Sequence, residues 1–164
     1  MNANPADYLE GAAQGERVWI RVNGRGNFKL GPTLKAYIIS TIQRGCCQLF
    51  VDMQSCTAMD STFLGVLAGL AMHLQTVGGS VNMVRPSAQN RESITTLGLD
   101  RLLKLSDDSP AAPALQRLEA TPNVANAATD ILAAHENLIT ASPANQPRFR
   151  ELVTQLKAEI PPKP

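Results

Sequence analysis

The chain has 164 residues and a mass of 17.6 kDa, the size of one domain or of one domain with an appendage. Its 15 basic and 14 acidic residues nearly cancel to +1, and only 4% of positions are aromatic. That balance argues against a nucleic-acid binder, which needs a basic face and stacking rings. No run of 18 apolar residues is present, so no membrane partner is expected. The opening MNANPADYLEGAAQGE has neither a basic start nor an apolar stretch, so it reads as lacking a secretory signal. Cys46, Cys47 and Cys56 are an odd number without metal-type spacing, which suits a reduced, cytoplasmic setting.

In chain order, Val18 to Val22 (VWIRV) alternates with period two, as a half-buried strand does. Gly24, Gly26 and Gly31 mark loops, and Pro32 suits a first helical position. Leu34, Ile38 and Ile42 then share a helical face until Gly45. Gln48 to Met53 (QLFVDM) is short and apolar, as a buried strand is. Phe63, Leu67, Leu70, Leu74 and Val77 recur at helical spacing until Gly78-Gly79. The segment SVNMVRP reads as a strand stopped by Pro86. Ser87 caps a helix that runs to Leu97 and ends at Gly98, and LLKLS closes the series as a strand. Alternating strands and helices specify an α/β layer with parallel pairing through right-handed crossovers.

Composition changes near residue 105. All 11 glycines lie at or before Gly98, whereas eight of the 11 prolines lie at or after Pro110. The expected division is a core over residues 1–107, followed by a linker and helical extension over 108–164. Thr121-Pro122 signals a helix start, after which Val124, Ala128, Ile131, Leu132, His135, Leu138 and Ile139 share a face. Ser142-Pro143 breaks the chain, and Phe149, Leu152, Val153, Leu156 and Ile160 form a second apolar stripe. The extension is either a cover packed on the core or a self-association element through which a homodimer forms.

No phosphate loop, nucleophile elbow, HExxH or CxxC pattern is present, and no cofactor or metal site is expected. His73 and His135 lie on separate helices and read as helix-surface or packing residues. The adjacent Cys46 and Cys47 read as small buried apolar groups. These features point away from an enzyme. One segment stands apart, VDMQSCTAMDSTFLGVLAGL over residues 51–70. A strand ends near Asp52, and Asp60-Ser61-Thr62 directly precedes an apolar helix. Asp60 or Ser61 can simply cap that helix by accepting from a free backbone N–H. The same position exposes a hydroxyl where free N–H groups and the helix dipole favour an added phosphate. Gly65 and Gly69 would let this helix approach its sheet closely.

At MDSTFLGVLAGL the chain resembles the STAS-domain family, specifically bacterial anti-sigma factor antagonists, in which D-S-[ST]-G-x-G-x-L opens a helix. VGGSVNMVRPSAQNRESITTLGLDRLLKL follows the family's next strand, helix, glycine turn and final strand, so the resemblance covers roughly residues 15–107. It implies a mixed four- or five-stranded sheet with packed helices, here with a two-helix carboxy-terminal extension. It also implies that Ser61, with Thr62 as the neighbouring alternative, corresponds to the serine phosphorylated by a partner anti-sigma kinase. Asp60, Ser61, Thr62, Phe63 and Asp52 would then face that partner. Two features depart from the pattern. Phe63 replaces the family glycine, and GRGNFKLGP lacks the acidic residue common after the first glycine turn. The alternative function is a non-switching scaffold or interaction module in which Ser61 only caps the helix. A receiver-like reading, with Asp52 as phospho-acceptor, lacks the acidic pair near the first strand, since Asp107-Asp108 follows the last one.

Overall fold

The computed structural model describes residues 7–120 and 127–161. The helix-start signal at Thr121-Pro122 and the position of Val124 lie outside the described residues. The chain opens with a hairpin, β1 (Tyr8–Gln14) and β2 (Arg17–Gly26), paired antiparallel. Gly15 sits in its turn at φ +62°, a left-handed conformation that a side chain would strain. The chain continues through α1 (Gly31–Gln43), β3 (Gln48–Asp52), β4 (Cys56–Met59) and α2 (Ser61–Gln75). Next come β5 (Ser80–Val84), α3 (Ala88–Thr96), β6 (Leu103–Ser106) and the two-residue β7 (Gln116–Arg117). A helical hairpin, α4 (Ala127–Ala141) and α5 (Asn145–Glu159), completes the described chain.

The sheet runs β6-β5-β3-β2-β1-β7, with β4 paired to the far end of β2. Strands β2, β3, β5 and β6 are mutually parallel, whereas β1 joins β2 and β7 antiparallel. The mixed α/β architecture and the two extra helices match the expectation from sequence. Beyond the four strands marked by alternation or apolar runs, β1, β4 and β7 complete a seven-stranded sheet. Those three carry weak strand signals. Gly11, Ala12 and Ala13 offer little surface for cross-strand packing, β4 spans four residues, and β7 spans two.

Alternation sorts the sheet into two faces. Val18, Ile20, Val22, Leu49, Val51, Val81, Met83 and Leu103 form one core cluster with Leu34 and Ile38 of α1 and Leu67, Leu70 and Leu74 of α2. Trp19, Arg21, Phe50 and Asp52 point to the opposite face, where Trp19 and Phe50 stack at 5.9 Å. The segment 109–115 passes over that face on its way to β7.

The extension joins the same body. Leu138 of α4 is fully buried in the core cluster, and β7 pairs with β1. Helix α4 lies along α2, and this contact reverses one expectation. Gly65 and Gly69 do not bring α2 close to its sheet; they let α4 come close to α2. A Cβ on Gly65 would collide with the Ala134 carbonyl, and one on Gly69 would collide with the Asn137 amide. The Asn137 amide instead donates to the Gly65 carbonyl at 3.2 Å.

Candidate functional site

The site is built where β4 hands over to α2. Asp60 is extended at φ −86° and ψ 170°, which places its side chain beside the first turn of the helix. Its Oδ1 accepts from the Phe63 N–H at 2.8 Å, satisfying a donor that the helix cannot pair itself. Its Oδ2 accepts from the Phe28 N–H, also at 2.8 Å, and so ties the β2–α1 loop to the helix start. The Asp60 N–H in turn donates to the Gly26 carbonyl at 2.9 Å. Asp60 is therefore the cap, and Ser61 is the first helical residue.

Ser61 is half-buried and lines an open cavity of about 320 Å3. Met59 and Leu64 form its inner side, Gln89 and Glu92 of α3 one wall, and Phe149 of α5 another. Across from Ser61 Oγ, at 2.9 Å, sits Nε2 of His135 on α4. The other ring nitrogen, Nδ1, lies 2.7 Å from the Ile131 carbonyl, which can only accept. Nδ1 therefore carries a proton, and Nε2 is the ring nitrogen that meets the Ser61 hydroxyl. The imidazole is only 1% exposed and packs edge-on against Phe149, with ring centroids 4.9 Å apart.

The other sequence-nominated residues fall into two groups. Thr62 and Phe63 follow Ser61 directly but point inward, at 7% and 0% exposure. The Phe63 ring lies against Gly26, where a Cβ would come within 2.8 Å of it. The bulk that replaces the family glycine is thus absorbed by a glycine on β2 and presents no ring to a visitor. Asp52 belongs to the opposite sheet face, held by Arg21 at 3.3 Å and Arg85 at 3.1 Å. It is not gathered with Asp60 and Ser61.

His135 is the residue that local sequence reading left out of the site. A histidine inside an apolar helical stripe was the available signal, but its partner is 74 positions away. Burial pushes the Cys46 and Cys56 thiols above their ordinary pKa, which disfavours the nucleophilic thiolate. Among the described residues, no three His, Cys, Asp or Glu side chains gather as a metal site. No helix among them is long and apolar enough to cross a membrane.

By sequence, no curated protein matches the chain. Among solved structures, an anti-sigma factor antagonist from Mycobacterium paratuberculosis is similar at TM-score 0.55 and 18% identity, covering 80% of this chain and 98% of that one. The anti-sigma factor antagonist SpoIIAA in its unphosphorylated form is similar at TM-score 0.50 and 22% identity, covering 64% and 90%. The Bacillus cell fate determinant SpoIIAA in its phosphorylated form is similar at TM-score 0.51 and 23% identity, covering 63% and 93%. At these identities the likeness is one of fold. The STAS domain model matches residues 10–112, from the first hairpin through β6; the α2 entry lies within that span, and β7 and the α4–α5 hairpin lie beyond it. On that match the chain belongs to the STAS-domain family.

Proposed function

We propose that this protein is a non-enzymatic anti-sigma factor antagonist, which docks on an anti-sigma serine kinase and is released when that kinase phosphorylates Ser61. The observation that carries the reading is a hydroxyl at the first position of α2, lining an open cavity, in a chain of this family. Transfer of the γ-phosphoryl group of ATP forms the Ser61 Oγ–P bond, breaks the bond to the ADP oxygen, and gives the hydroxyl proton to the kinase. The product carries about −1.5 to −2 charges at neutral pH. Asp60 is the preceding residue, and Glu92 lines the cavity, so the added charge enters an already acidic surface. Two unit charges at about 4 Å near a protein surface repel by roughly 4 kcal/mol, and about 1.4 kcal/mol is already a tenfold loss of affinity.

In this reading the partner meets Asp60, Ser61 and the α3 side of the cavity, while Thr62 and Phe63 set the helix start from inside. Thr62, sealed in this structure, is the weaker acceptor. The test uses the purified kinase and ATP. Phosphate should appear on Ser61, Ser61→Asp should bind the kinase at least about tenfold more weakly, and Ser61→Ala should bind as the unsubstituted chain does. Equal affinity of the two variants, with label on another residue, would overturn the proposal.

The hydrogen bond from Ser61 to His135 favours a second reading, a scaffold in which the hydroxyl serves only as an internal tie. In that case mass spectrometry of protein from its native cells finds no phosphate on Ser61.

A further inference from the structure

The extension reaches the candidate phosphorylation site itself. Among the described residues, α4 rests on α2 through hydrogen bonds from Ser61 to His135 and from Asn137 to the Gly65 carbonyl, with close approaches at Gly65 and Gly69. Only the first involves a group whose chemistry changes on modification. Phosphorylation replaces the Ser61 O–H, a donor, with an ester oxygen and three anionic acceptors. Nε2 of His135 faces that hydroxyl at 2.9 Å, so a phosphorus on Oγ takes the place of the hydrogen that lies in this gap. The imidazole is sealed beneath Phe149, and the two groups meet directly. No Lys or Arg lines the Ser61 cavity, whereas Glu92 does and Asp60 precedes the site. A dianion placed there meets a closed 2.9 Å contact and nearby carboxylates, with no Lys or Arg of the cavity to receive it.

We infer that His135 reads the phosphorylation state of Ser61, and that a phosphate on Ser61 drives the α4–α5 hairpin off the α2 face. Unmodified, the hydroxyl latches the hairpin down, and Phe149 forms a wall of the cavity in which Ser61 lies. Modified, the latch no longer closes and that wall leaves with α5. The partner surface is then dismantled as well as charged. This inference rests on Ser61 being the modified residue, and it adds a conformational step to what electrostatics alone would do.

The full chain carrying phosphoserine at position 61, incorporated during synthesis, tests this by amide hydrogen exchange. Amides of α4 and α5 should exchange at least about tenfold faster than in the unmodified chain, while β2, β3 and β5 keep their protection. Ser61→Ala, which removes the bond without adding charge, should change α4 by no more than about threefold. A second variant joins the helices covalently: Gly69→Cys with Asn137→Cys. The Asn137 Cγ lies 3.0 Å from a Cβ at position 69, so the two Cβ atoms fall within disulfide reach. Oxidised, the phosphorylated pair should regain α4 protection, and a thiol reductant should release it again. Unchanged or increased protection of α4 on phosphorylation would overturn the inference, as would an equal loss across β2, β3 and β5. The phosphate is installed without a kinase, so absence of modification in native cells would sink the proposed function and leave this coupling standing.

Discussion

Asp60 shows how one side chain sets the site. Its two carboxylate oxygens bind N–H groups from separate segments, Phe63 on the helix and Phe28 on the preceding loop. Its negative charge also sits at the positive end of the α2 dipole. Asp60→Ala should lose about 1–2 kcal/mol of stability, read from the urea midpoint, with Asp60→Asn losing less because one carbonyl oxygen remains to accept. The cap was legible in the sequence because a cap is local chemistry: an acidic or hydroxylic residue just before an apolar periodic run. The His135 contact was not, because it depends on how α4 settles against α2. Phe63 was legible as a departure from the family pattern, yet its direction was not, since the space it fills is made by Gly26 on another element.

At the scale of elements, the glycine pair on α2 matters most. Spaced i and i+4, Gly65 and Gly69 share one helical face, and that face is where α4 rests. Gly65→Ala places a methyl group against the Ala134 backbone, which cannot rotate away as a side-chain end can. The expected cost is about 1–3 kcal/mol, with faster amide exchange in α4, despite the higher helix propensity of alanine. Asn145 anchors the other end of the hairpin. Its buried amide donates to the Leu97 and Leu138 carbonyls, 2.9 Å each, bridging the α3 exit and α4. Periodicity identified both extension helices and β2, while β3, β5 and β6 were legible as short segments between turn and breaker residues. It did not say which surface the extension covers, because an apolar stripe reports that a face is buried and not what buries it.

At the scale of the whole molecule, the extension and the STAS core share a continuous apolar interior through Leu138, with Phe149 packed against it. Unmodified protein should therefore unfold in one cooperative step. Trp19, the single tryptophan, is buried on the sheet face opposite to α2 and reports on the sheet, whereas far-ultraviolet dichroism reports mainly on the helices. The two signals should give coincident urea transitions. An earlier dichroism transition would show that the hairpin melts separately even without phosphate.

The margins of the sheet also limit how another chain can engage it. On one side the outermost strand, β7, is two residues long and follows Pro110 and Pro113. On the other, β6 offers four residues, with Lys104 exposed among them. The outermost strands on both borders are short, which narrows the room for a foreign strand to add by main-chain pairing. Recognition of this protein then falls chiefly to side chains on its helices, and it is there that, under the proposed function, a single added phosphoryl group would alter what is read.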